Sequence, residues 1–175
     1  MRFCSLVILL VQCAWATQAQ QGTDNNLWEV GARGGVSGDG DDFVQAEIYG
    51  SYDFPWKLDL PWKLSLALRA NGNAGILTAQ NEWSGLFSLG PGFVIKREGW
   101  RISLEAGSSP TLMTRHRFGG KDLGGTLEFI NHVGIHCRLL STWTLSYRFQ
   151  HLSNAGIHES NPGLNMHLFG IGYRF

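Results

Sequence analysis

The sequence has no apolar run long enough to cross a membrane as a helix. Its one strongly apolar stretch, residues 3–15, is shorter than the roughly 20 residues that a transmembrane helix needs. The stretch follows a basic Met1-Arg2 start and precedes small residues, a pattern typical of a secretory signal peptide. We therefore predict that residues 1–19 are a cleaved signal peptide and that residues 20–175 form one exported domain.

Cysteine is scarce, and neither sign of charge is in excess. Three cysteines in 175 residues are too few for a disulfide-rich secreted scaffold. Lys and Arg together number 14, as do Asp and Glu, so no basic excess points to a nucleic-acid partner, and we predict none. Glycine (23), phenylalanine (10) and tryptophan (7) are abundant instead. An exported chain of this composition without helical patterning indicates an all-β protein.

Alternation of apolar and polar residues predicts eight β-strands. Turn-forming residues separate them and predict loops at residues 39–42, 53–61, 97–99 and 118–125. The predicted strands span residues 27–36, 43–54, 62–70, 87–95, 100–106, 127–136, 143–150 and 169–175.

Alternation alone does not separate a membrane barrel from a soluble β-domain that binds a small apolar ligand. Three features favour the barrel: segments of about ten residues, aromatic side chains near strand ends, and a last strand that ends on Phe175. That ending resembles the recognition signal of bacterial outer-membrane barrels. The aromatic residues near strand ends are Trp28, Trp62, Trp100, Trp143 and Tyr173.

The fold that we predict is an eight-stranded antiparallel transmembrane β-barrel, closed between the first and last strands. Closure is required because unpaired strand edges in lipid cost several kcal/mol each. Eight strands leave an interior filled by side chains rather than a channel. The charged residues that we expect to face this interior are Glu29, Arg33, Glu47, Lys63, Arg69, Arg101, Glu105, Glu128 and Arg148.

A candidate nucleophile and base, Ser153 and His151, lie two residues apart in the seventh strand. Their parity matches that of the apolar residues of this strand, so both are expected on the outer wall. Asn165 has the outward parity of the eighth strand, which predicts that the three side chains meet. A serine hydroxyl needs an adjacent base to become a nucleophile. Taken alone, the spacing favours a satisfied polar strand end over a catalytic pair.

The surroundings of this pair predict its place in the cell. With both termini in the periplasm, odd-numbered strands run outward, so the site lies at the extracellular rim of an outer-membrane barrel. The outer leaflet there is lipopolysaccharide, whose lipid A carries ester-linked acyl chains. Asn154, Gly156 and Asn161 follow the pair and are candidate oxyanion or substrate-binding residues.

Three segments resemble the lipid A 3-O-deacylase (PagL) family: residues 150–157, Asn161-Pro162-Gly163 and the Tyr173-Arg174-Phe175 ending. The resemblance implies an eight-stranded outer-membrane barrel that uses a Ser-His-Glu triad, without metal or other cofactor. It also implies hydrolysis of the ester of the 3-hydroxyacyl chain at position 3 of lipid A, and it allows a homodimer. Carried over, His151 is the base, Ser153 the nucleophile and Asn154 an oxyanion contributor.

One departure concerns the third member of the triad. Asn165 stands at the position that the family Glu aligns with, and the nearest alternative acid is Glu159 in the adjoining loop. The departure leaves open a slower enzyme, a substitute acid, or an inactive structural or lipid-binding barrel. His132 and His136 are separated by roughly 13 Å in an extended strand, which is too far to share one metal ion. We accordingly predict no metal.

Overall fold

The computed structural model describes residues 27–38 and 42–175, which fold into a closed barrel of eight antiparallel strands. Each strand pairs with its neighbours in sequence, and the last pairs with the first, so the predicted fold class is confirmed. The strands are β1 Trp28–Ser37, β2 Val44–Leu60, β3 Leu64–Ala79, β4 Glu82–Arg97, β5 Ile102–Met113, β6 Leu127–Leu139, β7 Trp143–Ser153 and β8 Leu164–Arg174.

The predicted signal peptide, residues 1–19, lies outside the described residues, as does most of the predicted turn at 39–42. No helix of the described residues is long and apolar enough to cross a membrane.

The register shows how the barrel closes. Ala32 of β1 lies opposite Ile48 of β2 on one side and opposite Ile171 of β8 on the other. Closure leaves no strand edge unpaired along the wall, which is the condition for a sheet in lipid. We call the end that holds the start of β1 and the end of β8 the terminal end, and the opposite end the loop end.

The wall has apolar side chains outside and charged side chains inside. Ile48 and Leu89 are 67% and 69% exposed, whereas Glu47 and Arg69 on neighbouring inward positions are 5% and 2% exposed. This distribution is inverted relative to a water-soluble protein and is that of a membrane barrel. Most of the predicted inward charges are buried as expected, namely Glu29, Arg33, Glu47, Arg69, Glu105, Glu128 and Arg148.

Two of the predicted inward charges lie elsewhere. Lys63 falls in the turn Pro61–Lys63 between β2 and β3, and its side chain is 72% exposed beside Glu98. Arg101 precedes β5 and is only half-buried. Both predictions were wrong because the alternation was extended past the points where the strands end, and parity has no meaning in a turn.

The interior of the barrel has a charged layer toward the terminal end. Its centre is the Glu105 carboxylate, which accepts hydrogen bonds from Arg69 (2.9 Å) and Asn71 (2.8 Å). The two histidines predicted to lie too far apart to share a metal ion, His132 and His136, converge on this one carboxylate at 3.1 and 3.0 Å. Buried charges of both signs therefore satisfy one another, as burial requires.

A second, apolar layer fills the interior at the loop end. It combines inward side chains of the strands with two side chains from the β5–β6 loop, Phe118 and Leu123, which fold into the mouth of the barrel. That loop contains a short hairpin, Arg117–Phe118 paired with Lys121–Asp122. The layer consists of Phe43, Leu77, Ala79, Leu86, Met113, Phe118, Leu123, Ile130, Leu152, Leu164, Met166 and Leu168.

Several strands run further than the sequence pattern predicted. The loop predicted at 53–61 is wrong: β2 continues to Leu60, and its register with β3 shifts between Asp53 and Lys57. A bulge there accommodates Pro55, which has no N–H to give to the ladder. β3 also extends through residues 71–75, where small and amide side chains show no apolar alternation.

Candidate active site

His151 on β7 and Asn165 on β8 lie directly opposite one another at the loop end of the barrel. Both face outward and are half-buried. Their neighbours along the two strands, Leu152 and Leu164, point into the apolar interior. The alternation of the two strands thus places this pair on the lipid-facing wall, as parity predicted. The buried leucines behind them fix the strands that carry the pair.

A hydrogen bond of 2.8 Å joins His151 Nδ1 to Asn165 Oδ1. A carbonyl oxygen only accepts, so in this bond His151 Nδ1 carries the proton and Nε2 keeps a free lone pair. Nε2 is then the atom that can take a proton from a nucleophile. An amide differs from a carboxylate because its NH2 group can also donate, and it carries no charge to stabilise an imidazolium ion.

Ser153 is the last residue of β7 and is half-buried on the same face as His151. Its cross-strand neighbour is Phe129 of β6. Among the described contacts no hydrogen bond links Ser153 Oγ to His151. Same-face residues two apart in a strand have Cα atoms about 7 Å apart. Contact between Ser153 Oγ and the imidazole of His151 therefore requires rotation of the side chains.

Gly163 forms a wall beside the imidazole of His151, a role that the sequence did not reveal. Its φ is +66°, and a Cβ placed there would lie 2.7 Å from His151 Cε1. A side chain at residue 163 would therefore displace the imidazole, and the backbone conformation itself favours glycine. A glycine two residues before Asn165 was the only signal in the sequence. The backbone at Gly163 thus restricts how the ring of His151 can turn.

Asn154 is fully buried and ties the β7–β8 loop together. Its Nδ2 donates to the carbonyls of Ser160 (2.6 Å) and Leu123 (3.4 Å), and its Oδ1 accepts the N–H of Gly156 (2.9 Å). The backbone N–H of Asn154 donates to Oδ1 of Asn161 at 3.1 Å. All three residues predicted to bind substrate therefore belong to one network that begins immediately after Ser153.

The neighbouring β5–β6 loop is held against this network through Asp122. Its carboxylate contacts His116 Nδ1 at 2.7 Å and accepts bonds from the N–H of Gly124 (2.9 Å) and from Arg117 Nε (2.7 Å). These bonds, with that of His116 the largest, hold the pKa of Asp122 well below its usual range. Asp122 is followed by Leu123, whose carbonyl accepts a hydrogen bond from the side-chain amide of Asn154. By fixing its own loop, the Asp122 carboxylate therefore helps to position the β7–β8 loop.

Aromatic and apolar side chains line the wall below the pair. Tyr147 and Phe149 on β7 lie opposite Phe169 and His167 on β8, in the direction of the terminal end. The Tyr147 hydroxyl contacts His167 Nδ1 at 2.7 Å, so the second outward histidine already has a protein partner. The outer surface on the terminal side of His151 and Asn165 is therefore largely aromatic.

No described hydrogen bond joins an acidic side chain to His151. Glu159 is exposed in the β7–β8 loop, and the ring nitrogen that an acid would contact is bonded to Asn165. Glu128 points into the barrel and is fully buried, with neither carboxylate oxygen hydrogen-bonded within the described structure. The described residues contain no group of three His, Cys, Asp or Glu side chains that could hold a metal ion.

Comparison with known proteins gives one family. The family model for "Lipid A 3-O-deacylase (PagL)" matches residues 44–174. A protein named lipid A deacylase PagL, from Bordetella bronchiseptica, is 35% identical over 77 residues. That alignment covers 44% of this chain and 43% of the relative, so it spans less than half of either protein.

A solved structure, described as the outer membrane enzyme PagL, shares the fold. It superposes with a TM-score of 0.74 at 22% identity, over 82% of this chain and 97% of that one. The family match includes both strands that carry His151, Ser153 and Asn165. Since it extends over most of the sequence, the chain belongs to the lipid A 3-O-deacylase (PagL) family.

Proposed function

We propose that this protein is an outer-membrane serine esterase that removes the 3-O-linked 3-hydroxyacyl chain from lipid A. The observation that carries the proposal is the pairing of His151 with Asn165 on the outer wall, two residues from Ser153. A nucleophile and base that face lipid suit a substrate whose ester bond lies in the membrane. The family description supplies the substrate class.

The first half of the reaction forms an acyl-enzyme. His151 Nε2 takes the proton of the Ser153 hydroxyl while Oγ attacks the ester carbonyl, and a tetrahedral oxyanion forms. The carbon–oxygen bond to the sugar then breaks, and the proton on Nε2 passes to the departing sugar 3-oxygen. Ser153 now carries the acyl group, and lipid A has a free 3-hydroxyl.

The second half of the reaction restores the serine. Water attacks the acyl-enzyme carbonyl while His151 Nε2 accepts its proton, and that proton returns to Ser153 Oγ as the ester bond breaks. The products are a 3-hydroxy fatty acid and the deacylated lipid. While Asn165 Oδ1 accepts from His151, Nδ1 keeps its proton, which leaves Nε2 available in both halves.

Oxyanion stabilisation is assigned to the loop that follows Ser153. Asn154, Gly156 and Asn161 stay our candidates, although the N–H groups of Asn154 and Gly156 already have partners in the loop. The Oδ1 atom of Asn161 is engaged, which leaves its Nδ2 amide as the group that can turn toward a developing oxyanion.

The orientation that we propose places the loop end at the cell surface and the terminal end in the periplasm. Ser153 lies ten residue steps along β7 from Trp143, which at about 3.3 Å per step and a tilt near 40° spans roughly 25 Å. That distance matches the apolar band of an outer-membrane barrel. Ser153 then lies at the level of the lipid A head group when Trp143 lies at the opposite interface.

The second candidate function is a structural or lipid-binding barrel without hydrolytic activity. It is favoured by Asn165, because a neutral amide cannot offset the charge of the imidazolium ion. A homodimer stays a prediction from the resemblance for either function. The two functions differ in one measurable respect, which is release of the fatty acid.

Mass spectrometry of lipid A incubated with the purified protein in detergent tests the proposal. The expected product has lost one 3-hydroxyacyl chain, and Ser153→Ala abolishes the loss. Ser103→Ala, on β5 at the terminal end, is the matched control and should keep full activity. Full activity of Ser153→Ala would refute the assignment of the nucleophile. An unchanged acyl pattern with all variants would favour the second candidate.

A further inference from the structure

A tandem sequence motif that the proposed hydrolysis does not use surrounds the turn between β2 and β3. The tetrapeptide Pro-Trp-Lys-Leu occurs at residues 55–58 and again at residues 61–64. The first copy lies at the bulge of β2, and the second forms the turn and the first residue of β3. We call residues 54–64 the anchor hairpin. The hairpin thus carries two copies of one motif, and it lies at the terminal end of the barrel, far from Ser153.

The anchor hairpin extends past the end of β1, its neighbour on one side. β1 begins at Trp28, which lies opposite Tyr52, whereas β2 continues from there to Leu60. Leu27 O accepts the N–H of Asp53, and beyond this point β2 pairs only with β3 among the described residues. On the side of β1 the hairpin therefore extends past its neighbour, while on the other side β3 stays paired with β4, since Leu64 lies opposite Arg97.

Large apolar side chains on this extension are exposed. Trp62 is 81% exposed, and Trp56 and Leu58 are 54% and 48% exposed. Trp62 and Lys63 both have φ near +60°, which residues other than glycine rarely adopt. The turn thus presents Trp62 outward at a conformational cost. Exposed tryptophan at the end of a transmembrane strand is typical of contact with the lipid head-group region.

The charges on and beside the hairpin complement phosphate. Lys57 and Lys63 have side chains that are 64% and 72% exposed, and each has only a loose surface partner, Asp59 at 3.3 Å and Glu98 at 3.7 Å. Surface pairs of this kind are weak and exchange readily for other partners. Arg97, which packs over the Trp100 ring at 4.8 Å, adds a third cation at this end.

We propose that the anchor hairpin binds the head-group layer of acidic phospholipids, with Trp56 and Trp62 in the interface and Lys57 and Lys63 on phosphates. Each motif copy supplies one aromatic ring and one cation, the pair of groups that an anionic membrane surface attracts. The proposal requires that the barrel spans a membrane, but it does not depend on hydrolysis of lipid A. It assigns the terminal end to a phospholipid leaflet.

Fluorescence quenching of Trp62 in vesicles tests the position of the hairpin. The full-length protein and Trp62→Phe are folded into vesicles that contain phosphatidylglycerol, and the difference between their emissions gives the contribution of Trp62. We expect this contribution to be shielded from acrylamide and quenched by brominated phospholipid. Access to acrylamide without quenching by brominated lipid would place the hairpin in water and overturn the proposal.

Urea unfolding from vesicles of two compositions tests the role of charge. Lys57→Gln/Lys63→Gln should reduce the ratio of folded to unfolded protein about fivefold per lysine in phosphatidylglycerol vesicles, and less in phosphatidylcholine vesicles. The neutral vesicles show that the variant folds and report the loss of the pairs with Asp59 and Glu98. Lys57→Arg/Lys63→Arg, which keeps both charges, is the matched control and should behave as the unmodified protein does. Equal losses in both vesicle types would refute phosphate binding.

Discussion

Replacement of Asn165 by Glu should raise the rate of lipid A deacylation, because it adds a negative charge next to the base. His151 Nδ1 and Asn165 Oδ1 are 2.8 Å apart, so a carboxylate at this position lies within hydrogen-bond reach of the imidazole. In the proposed reaction the charge appears on His151 only when it accepts the proton of Ser153, so the interaction with the carboxylate strengthens in the transition state. The expected effect is therefore on kcat, with little change in KM.

The size of this effect follows from the separation and the exposure of the pair. Two unit charges about 4 Å apart attract by roughly 1 kcal/mol in water and by about 4 kcal/mol at an effective dielectric constant near 20. Both side chains are half-buried, so the result should fall between these limits. The corresponding increase in kcat is roughly 5- to 1,000-fold. In the triad of a serine protease the change from Asp to Asn lowers kcat by about 10⁴, but that acid is buried more deeply than residue 165 is here.

Mass-spectrometric rates with purified lipid A distinguish charge from fit. Asn165→Gln has the length of Glu without its charge and is the matched control, for which we expect no gain. Glu159→Gln should stay within about twofold of the unmodified rate, because the exposed loop carboxylate does not contact the imidazole. An Asn165→Glu rate no higher than that of Asn165→Gln, with both barrels folded, would refute the reasoning.

Three further substitutions have outcomes set by the described contacts. Gly163→Ala should lower kcat at least tenfold, because the added Cβ displaces His151. Gly99→Ala is the control: its φ is also positive, at +78°, but the space around its Cβ is open, so it should lower stability without loss of activity. Deacylation assays measure the first effect and unfolding assays the second. Asn154→Ala removes three loop hydrogen bonds and should lower the free energy of unfolding by about 1 kcal/mol or more. Both the urea midpoint and the deacylation rate should fall. Glu105→Gln leaves the buried Arg69 and Arg148 guanidinium groups without the charge of Glu105 and should destabilise the barrel by about 3–5 kcal/mol in detergent. Normal stability of this variant would argue against the charged layer.

The sequence predicted the wall of the barrel well because each strand follows one physical rule. Lipid outside and a charged interior force strict alternation, so parity alone placed Glu47, Arg69 and Glu105 correctly. The same rule failed wherever side chains were small. Residues 71–75 of β3 carry amides inside and no bulky groups outside, and the pattern therefore showed no strand there. Lys63 failed for the opposite reason, since parity was carried into a turn.

In the candidate site too, parity predicts some features and only packing determines the others. Parity brought His151, Ser153 and Asn165 to one face, and the cross-strand pairing of His151 with Asn165 follows from the length of the β7–β8 loop. Gly163 and the bonds of Asn154 were beyond reach, because a contact made by a backbone or by a buried amide leaves no periodic signal. Loop contacts between β5–β6 and β7–β8 join residues that are distant in sequence.

The neutral amide at position 165 has a physical consequence beyond a slower reaction. A carboxylate at this position only accepts and would keep the proton of His151 on Nδ1. An amide that rotates by 180° presents its NH2 group to Nδ1 instead and favours a proton on Nε2, which is the wrong tautomer for a base. Gly163, which leaves room for the ring edge at Cε1, does not choose between the two tautomers. Activity in this chain therefore depends on how firmly the amide of Asn165 is held with Oδ1 toward His151. A neighbouring side chain that holds the Asn165 amide in this orientation would raise the rate without contacting substrate. Asn165→Glu makes such a side chain unnecessary, because both carboxylate oxygens accept.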